Sequence, residues 1–325
     1  MNNITLKAAA DMLLYNNNIL ILTHIGPDGD TLGSAFAIKY MLPQKNVVII
    51  CDDKLPERLS FIGEGVLALC PDEFKPELVV SVDTASLDLT GEYGQNFAGK
   101  IDLKFDHHPM SEEFARYNYI DESAAACGEI IADLIVHLGV LDNLTAGALY
   151  AAISSDTGCF QYSNVTAETH RKTAVILEAG IDHVDINQRL FKNKTPGEMT
   201  ALRVTLESLK FYLNGSVVSI CFTNEMKSKH GLNDEDIGDI SSIPREIAGV
   251  ELGVVLKQRQ DKEREFKISM RSGAGIEANR LCAIFGGGGH IRAAGGVIEA
   301  DSGEDAERIV MERVLSVLEI ANGGI

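Results

Sequence analysis

The chain has no uninterrupted apolar run of the ~18 residues that a membrane-crossing helix needs, so no helical span is expected. Its opening segment, MNNITLKAAADMLLYNN, lacks the basic start, long apolar stretch and small-residue cleavage site of a secretory leader. It reads instead as an amphipathic helix. Cysteine is sparse and unpaired in pattern: Cys51, Cys70, Cys127, Cys159, Cys221 and Cys282 form no CxxC. That argues against a disulfide framework and predicts reduced thiols packed as small hydrophobes in a cytoplasmic protein. Basic charge is also short, with 29 Lys and Arg against 47 Asp and Glu for a formal net charge of −18. A surface that coats a long nucleic acid draws its affinity from Lys and Arg, so long polyanions are excluded as partners. A short nucleotide is not excluded, because bound cations can reverse the field of local acids. Internal repeats and low-complexity tracts are absent.

What remains is an ordinary globular composition, 45% hydrophobic and 23% charged over 325 residues. At ~100–200 residues per domain, two domains are expected. Up to about residue 190, apolar strand-like runs alternate with helical periodicity. The predicted strands are Asn18–Thr23, Val47–Cys51, Leu78–Val82, Ile101–Phe105 and Leu149–Ser154, with helices over Leu32–Met41 and Cys127–Leu138. Such alternation gives an α/β fold with a mostly parallel, doubly wound sheet. The polar stretch Lys192–Gly197 and the helical start after it are read as a linker over 191–204. Residues 205–325 then form a smaller α/β or α+β domain. Its predicted strands are Ser216–Phe222, Glu251–Gln258, Glu265–Met270 and Gly296–Ala300, with helices over Ala278–Phe285 and Glu304–Ile320.

The unusual polar residues cluster where these strands end. His24, Asp28 and Asp30 follow the first, Asp83 follows Leu78–Val82, Asp106-His107-His108 follow Phe105, and Asp156 follows the run to Ser155. Ligands of open parallel sheets bind outside the carboxyl ends of strands, where residues distant in sequence meet. Carboxylates and imidazoles without a thiolate suit Mn²⁺, Mg²⁺ or Co²⁺ better than a structural zinc. The number of donors exceeds one open site and fits two cations sharing a bridging carboxylate. Each piece alone has a plain structural reading. His24 could be a loop residue, Asp28-Gly29 turn chemistry, Asp30 or Thr31 a helix N-cap, Asp83-Thr84 another cap, and Asp156-Thr157-Gly158 a turn. Two imidazoles at a buried strand end are harder to explain without partners.

On these residues the chain resembles the DHH phosphoesterase superfamily. HIGPDGD (24–30), Asp83, DHH (106–108) and SSDTGCF (154–160) follow the family's motif order. MRS (270–272) and FGGGGHIRAAGG (285–296) resemble its DHHA1 domain. The two-domain size is similar to the bacterial nano-RNase and pAp-phosphatase (NrnA-like) group. The resemblance implies a DHH metal-binding domain over 1–190 and a DHHA1 substrate-binding domain over 205–325, closing about the linker. It implies that His24, Asp28 and Asp83 hold one metal and that Asp30, Asp83, His107 and Asp156 hold a second, Asp83 bridging. Asp106 would orient a neighbour and His108 would assist at the phosphate or leaving group. Arg271, Ser272, Gly287, Gly288, Gly289 and His290 would contact substrate phosphates. The expected cofactor is two Mn²⁺, with Mg²⁺ or Co²⁺ as substitutes. The expected substrates are dinucleotides such as pApA or pGpG, and pAp; no membrane or long nucleic acid is expected, and self-association is left open as a homodimer. A cyclic-di-AMP phosphodiesterase is the enzymatic alternative and a non-catalytic nucleotide sensor the alternative of another class. One departure stands out: relatives carry hydroxyl residues before Gly-Glu, where this chain has Ala124-Ala125-Ala126-Cys127.

Overall fold

The computed structural model describes residues 3–238 and 240–322. The chain folds as two units that divide between Asn193 and Lys194. The first carries strands β1 (Asn18–Leu22), β2 (Asn46–Ile50), β3 (Val66–Leu67), β4 (Leu78–Val82), β5 (Leu103–Asp106) and β6 (Tyr117–Ile120). They form one sheet in the order β3-β2-β1-β4-β5-β6, every pair parallel. β4 is buried along its whole length, as expected of a parallel strand covered on both faces.

One face packs on the helices Gly29–Met41, Cys127–Asp133 and Asn143–Asp156 through Ile19, Ile21, Val80, Leu103 and Phe105. The other carries a smaller core of Leu20, Leu22, Ile50, Val79 and Ile101 under Phe74, Phe97 and Phe114. The chain winds from β1 out to β3, then returns to place β4 on the far side of β1. The loops after β1 and β4 therefore part company, which is the topological switch point where such sheets bind ligands.

The run 149–154 is not a strand. It lies in the helix Asn143–Asp156, whose N-cap Asp142 accepts from the Thr145 N–H at 2.9 Å. This helix is buried nearly all round, and a continuous apolar run has no period that tells a buried helix from a buried strand. Small residues let it approach the helix Gly29–Met41 closely. A Cβ on Gly33 would meet the Ala148 carbonyl oxygen at 2.5 Å and the Ala152 Cβ at 2.8 Å.

The second unit carries β7 (Lys210–Tyr212), β8 (Val217–Phe222), β9 (Leu252–Gln258), β10 (Glu265–Ser272), β11 (Gly288–His290) and β12 (Ala293–Glu299). Their order is β11-β12-β10-β9-β8-β7, with β8 and β9 parallel and the other pairs antiparallel. Phe266, Ile268 and Met270 pack with the helices Ala278–Ala283 and Gly303–Asn322, while Ile220, Phe222 and Val255 pack with the helix Pro196–Glu207. The stretch 191–204 is thus mostly not a linker. Phe191 ends the preceding helix, and from Pro196 the chain is a helix of the second unit, capped by Thr195 and Glu198. No described helix is long and apolar enough to cross a membrane, and all six cysteines are unpaired.

Candidate metal centre

The switch point brings the expected residues together. His24 and Asp28 lie in the loop after β1, and Asp83 directly follows β4. Asp106 is the last residue of β5, with His107 and His108 beyond it. Asp30 stands in the first turn of the helix Gly29–Met41, and Asp156 is the last residue of the helix Asn143–Asp156. The fourth contribution thus comes from a helix end rather than a strand end, made possible by the close helix pair at Gly33.

Asp83 sits in the middle. Its Oδ2 lies 3.6 Å from His24 Nε2 and its Oδ1 lies 3.5 Å from His107 Nε2. Beyond His24, Asp28 Oδ1 lies 3.7 Å from the same nitrogen. Beyond His107, Asp156 Oδ2 and Asp30 Oδ2 lie 3.2 and 3.7 Å from its Nε2. His24, Asp28 and Asp83 therefore converge as one group and Asp30, His107 and Asp156 as another, each with donor atoms within 4.8 Å of one another. Asp83 has φ 54, a left-handed backbone uncommon outside glycine; its N–H donates to the Phe105 carbonyl at 2.9 Å, which ties the turn to β5.

Asp28 has two tasks. Its Oδ1 accepts from the N–H groups of Asp30 and Thr31, so Asp28, rather than Asp30 or Thr31, is the N-cap. Asp30 is fully buried, and its carboxylate accepts from the Cys127 N–H at 2.6 Å and the Gly128 N–H at 2.8 Å, at the start of the helix Cys127–Asp133.

Electrostatics follow from this packing. Burial disfavours charge on His24, but Asp28 and Asp83 outweigh it and raise its pKa to about 11. Burial likewise opposes charge on His107, and Asp156 and Asp83 raise it to about 11. Burial raises Asp30 well above the usual carboxylate range, with the charges of Asp83 and Asp156 adding to it. Asp83 goes the other way: burial is overcome by His107 and His24, which lower it. The donor set fits divalent cations. Asp83 Oδ1 and His107 Nε2 are buried and have no hydrogen-bond partner. An unpaired buried polar atom costs about 1–3 kcal/mol, and a cation between them would remove that cost.

Asp106 serves differently. It is fully buried. Its Oδ1 accepts from the His107 N–H at 2.9 Å and from His108 Nδ1 at 2.7 Å, while Oδ2 accepts from the Ser111 hydroxyl. His108 is half-exposed and leans 3.7 Å from Asp83 through the same Nδ1. With Nδ1 donating to Asp106, Nε2 is the ring nitrogen left open.

Several positioning residues were not legible in the sequence. Glu129 is buried and accepts from the Ala125 N–H at 2.9 Å and the Thr169 hydroxyl at 3.2 Å. Asn164 donates to the carbonyls of Ala125 and Asp156. Asp53 accepts from the Gly26 N–H at 2.9 Å and shapes the HIGPDGD turn. The Ala124–Cys127 side chains are all buried. This segment acts through its backbone, which holds Asp30 and Glu129. An Asp-to-backbone bond leaves no motif of its own.

In the second unit, register gathers the expected substrate residues. Arg271 on β10 and His290 on β11 both pair with Ala293 on β12. Cross-strand partners share a face, so the two side chains stand on one side of the sheet with Cα atoms roughly 10 Å apart. Arg271 donates to the Met270 carbonyl at 3.3 Å. Ser272 is buried and its hydroxyl donates to the Ile276 carbonyl at 2.6 Å. The glycine run is partly the edge strand β11 rather than a loop. A Cβ on Gly287 would meet the Gly295 oxygen at 2.1 Å and one on Gly289 the Ala293 oxygen at 2.7 Å, whereas Gly288 faces open space.

Comparisons with known proteins agree with this architecture. Residues 18–153 match the DHH family, N-terminal domain, and residues 214–317 match the DHHA1 domain. A protein of Thermus thermophilus named bifunctional oligoribonuclease and PAP phosphatase NrnA is 28% identical over 91% of this chain and 89% of its own. A Bacillus subtilis protein of the same name is 24% identical over 92% of this chain and 94% of its own. The crystal structure of an exopolyphosphatase-related protein from Bacteroides fragilis superposes with a TM-score of 0.84 at 23% identity, covering 97% of both chains, and is alike in fold.

Proposed function

The chain belongs to the DHH/DHHA1 phosphoesterase superfamily, and from that premise we propose that it hydrolyses short oligonucleotides to 5′-mononucleotides, and pAp to AMP and phosphate, with two Mn²⁺ ions. The observation that carries this reading is Asp83, whose two oxygens face two separate donor groups. The names of the relatives, oligoribonuclease and PAP phosphatase, support the substrate class.

Bound there, two divalent cations supply Lewis acidity towards phosphoryl oxygens and a hydroxide nucleophile near neutral pH. In this proposal His24, Asp28 and Asp83 hold one, and Asp30, Asp83, His107 and Asp156 hold the other, in the DHH catalytic domain. The donor set of oxygen and imidazole nitrogen, without thiolate, favours Mn²⁺ with Mg²⁺ or Co²⁺ as substitutes. Asp106 fixes the His108 ring, so that Nε2 meets a phosphoryl or leaving-group oxygen. In the DHHA1 substrate-binding domain, Arg271 and His290 pair with the substrate's phosphates, Gly287, Gly288 and Gly289 let the backbone come close to a phosphate, and Ser272 shapes the end of β10.

A turnover panel with Mn²⁺ tests the reading: pApA, pGpG, pAp, cyclic di-AMP and a long single-stranded RNA at matched concentration. Fast cleavage of the linear dinucleotides and pAp is expected, with long RNA slow. Preference for cyclic di-AMP would keep the centre and replace the substrate. Nucleotide binding without any turnover would make the chain a sensor.

A further inference from the structure

Lys104 is a charged side chain with no exposed surface, set in the middle of a sheet. Its neighbours on β5, Leu103 and Phe105, point into the main core. Lys104 and Asp106 share the opposite face, two residues apart on one strand. The ammonium donates to the Ser111 hydroxyl oxygen at 2.6 Å and to the Glu112 carbonyl at 2.7 Å, and it forms an ion pair with Asp106 Oδ2 at 3.2 Å. The Phe114 ring covers it at 4.3 Å. All of these partners except Asp106 belong to the loop that begins with His107 and His108. The same loop is pinned by the Glu112 N–H on the Ala85 carbonyl at 2.7 Å and by Asn118, which bonds the backbone of Ala115.

Burying an ammonium costs several kcal/mol unless its partners are well placed. A hydrophobic residue would fill this strand position without that cost, so the charge calls for an explanation beyond packing. The only oxygen of Asp106 left free of the histidines is Oδ2, and Lys104 and Ser111 both bind it. The other oxygen holds His108 Nδ1. A carboxylate held at Oδ2 by a buried cation and a hydroxyl keeps Oδ1 aimed at the His108 ring.

We propose that Lys104 is a positioning residue for the phosphoesterase reaction, acting with Ser111 through Asp106 to fix the orientation of the His108 ring. The proposal rests on the reading of the chain as a phosphoesterase only for its kinetic readout. A residue that merely ties down the loop would change stability and leave kcat of the folded enzyme alone. A residue that acts through His108 lowers kcat and loses its effect when His108 is gone.

The test is a double-mutant cycle on the Mn²⁺-loaded enzyme with Lys104→Met, His108→Ala and the pair, measuring kcat and KM on pApA well below the melting temperature. Loss of an outer partner of this kind costs about 10–100-fold in activity. The expected result is a kcat loss of that size for Lys104→Met with KM nearly unchanged, and no further loss when the substitution is added to His108→Ala. Equal losses in both backgrounds, an unchanged kcat, or a His108→Ala enzyme as active as the wild type would overturn the proposal. Should Lys104→Met not fold, Ser111→Ala enters the same cycle with the same two outcomes. Proton NMR of the Mg²⁺-loaded chain separates this from the substrate assignment. The downfield imidazole N–H signal, assigned by its disappearance in His108→Ala, is expected to shift or broaden in Lys104→Met and Ser111→Ala. If it stays in place, the proposal fails whatever the substrate is; if it moves while pApA is not cleaved, the functional reading fails instead.

Discussion

Asp83 Oδ1 and His107 Nε2 face each other at 3.5 Å inside the first unit, and neither makes a hydrogen bond. The other oxygen of Asp83 faces His24 at 3.6 Å. One carboxylate therefore stands between two imidazoles, at the point where the sheet reverses its winding. The chemistry proposed for the chain rests on this arrangement.

Asp83→Ala is expected to abolish turnover, with a loss beyond the ~10–100-fold typical of outer partners. Kinetics on pApA at saturating Mn²⁺ check it. Activity near the wild-type level would refute the bridging role.

Arg271→Ala and His290→Ala are expected to slow cleavage by about 10-fold or more, the scale of a lost charge-assisted hydrogen bond of 1.5–3 kcal/mol, with Mn²⁺ affinity unchanged. Calorimetric Mn²⁺ titration beside the kinetics separates the two quantities. A variant that loses its metals would show that the division of labour between the units is wrong.

Gly128→Ala is expected to destabilise the chain by about 1–3 kcal/mol, as overpacking does. Its Cβ would meet the Ala152 Cβ at 2.4 Å and lie 3.3 Å from Asp30 Oδ1. Urea unfolding measures the loss, and the Mn²⁺ affinity is expected to fall with it because Asp30 must shift.

The metal-free chain should lose stability as pH rises. His24 and His107 have pKa values raised from 6.5 to about 11, so the folded state holds protons that the unfolded chain releases. Their contribution is fully present below about pH 6.5 and is lost as pH climbs towards 11. Burial of Asp30, which raises its pKa, acts in the same direction. Melting temperatures in EDTA from pH 6 to 10 are expected to fall steadily. Saturating Mg²⁺ should reduce or reverse that slope, because the cation takes the place of the protons. A rise with pH in EDTA would contradict the assignment of these groups.

Much of the site could be read from the chain because its residues cluster at segment ends, where sheet topology brings distant positions together. His24, Asp28, Asp83 and His107 needed only strand order to meet. Asp156 reaches Asp30 and His107 from a helix end, where the sequence pattern suggests a strand end. Leu149–Ser154 is apolar throughout, and a helix buried on all sides erases the period that would have identified it. The roles of Glu129, Asn164 and Asp53 were hidden because each acts on backbone N–H or carbonyl groups, which carry no sequence signal. The short strands β3, β6, β7 and β11 were missed as well. β11 is largely glycine, and it is held by its pairing with β12 rather than by strand propensity. Lys104 reads as an ordinary charge until the loop after His108 is seen folded over it.

Calorimetric titration of Mn²⁺ into the metal-free chain tests the central claim most directly. Two ions per chain are predicted, with proton release on binding and with loss of the paired stoichiometry in Asp83→Ala. A single ion, or two ions retained without Asp83, would contradict a centre built around that carboxylate.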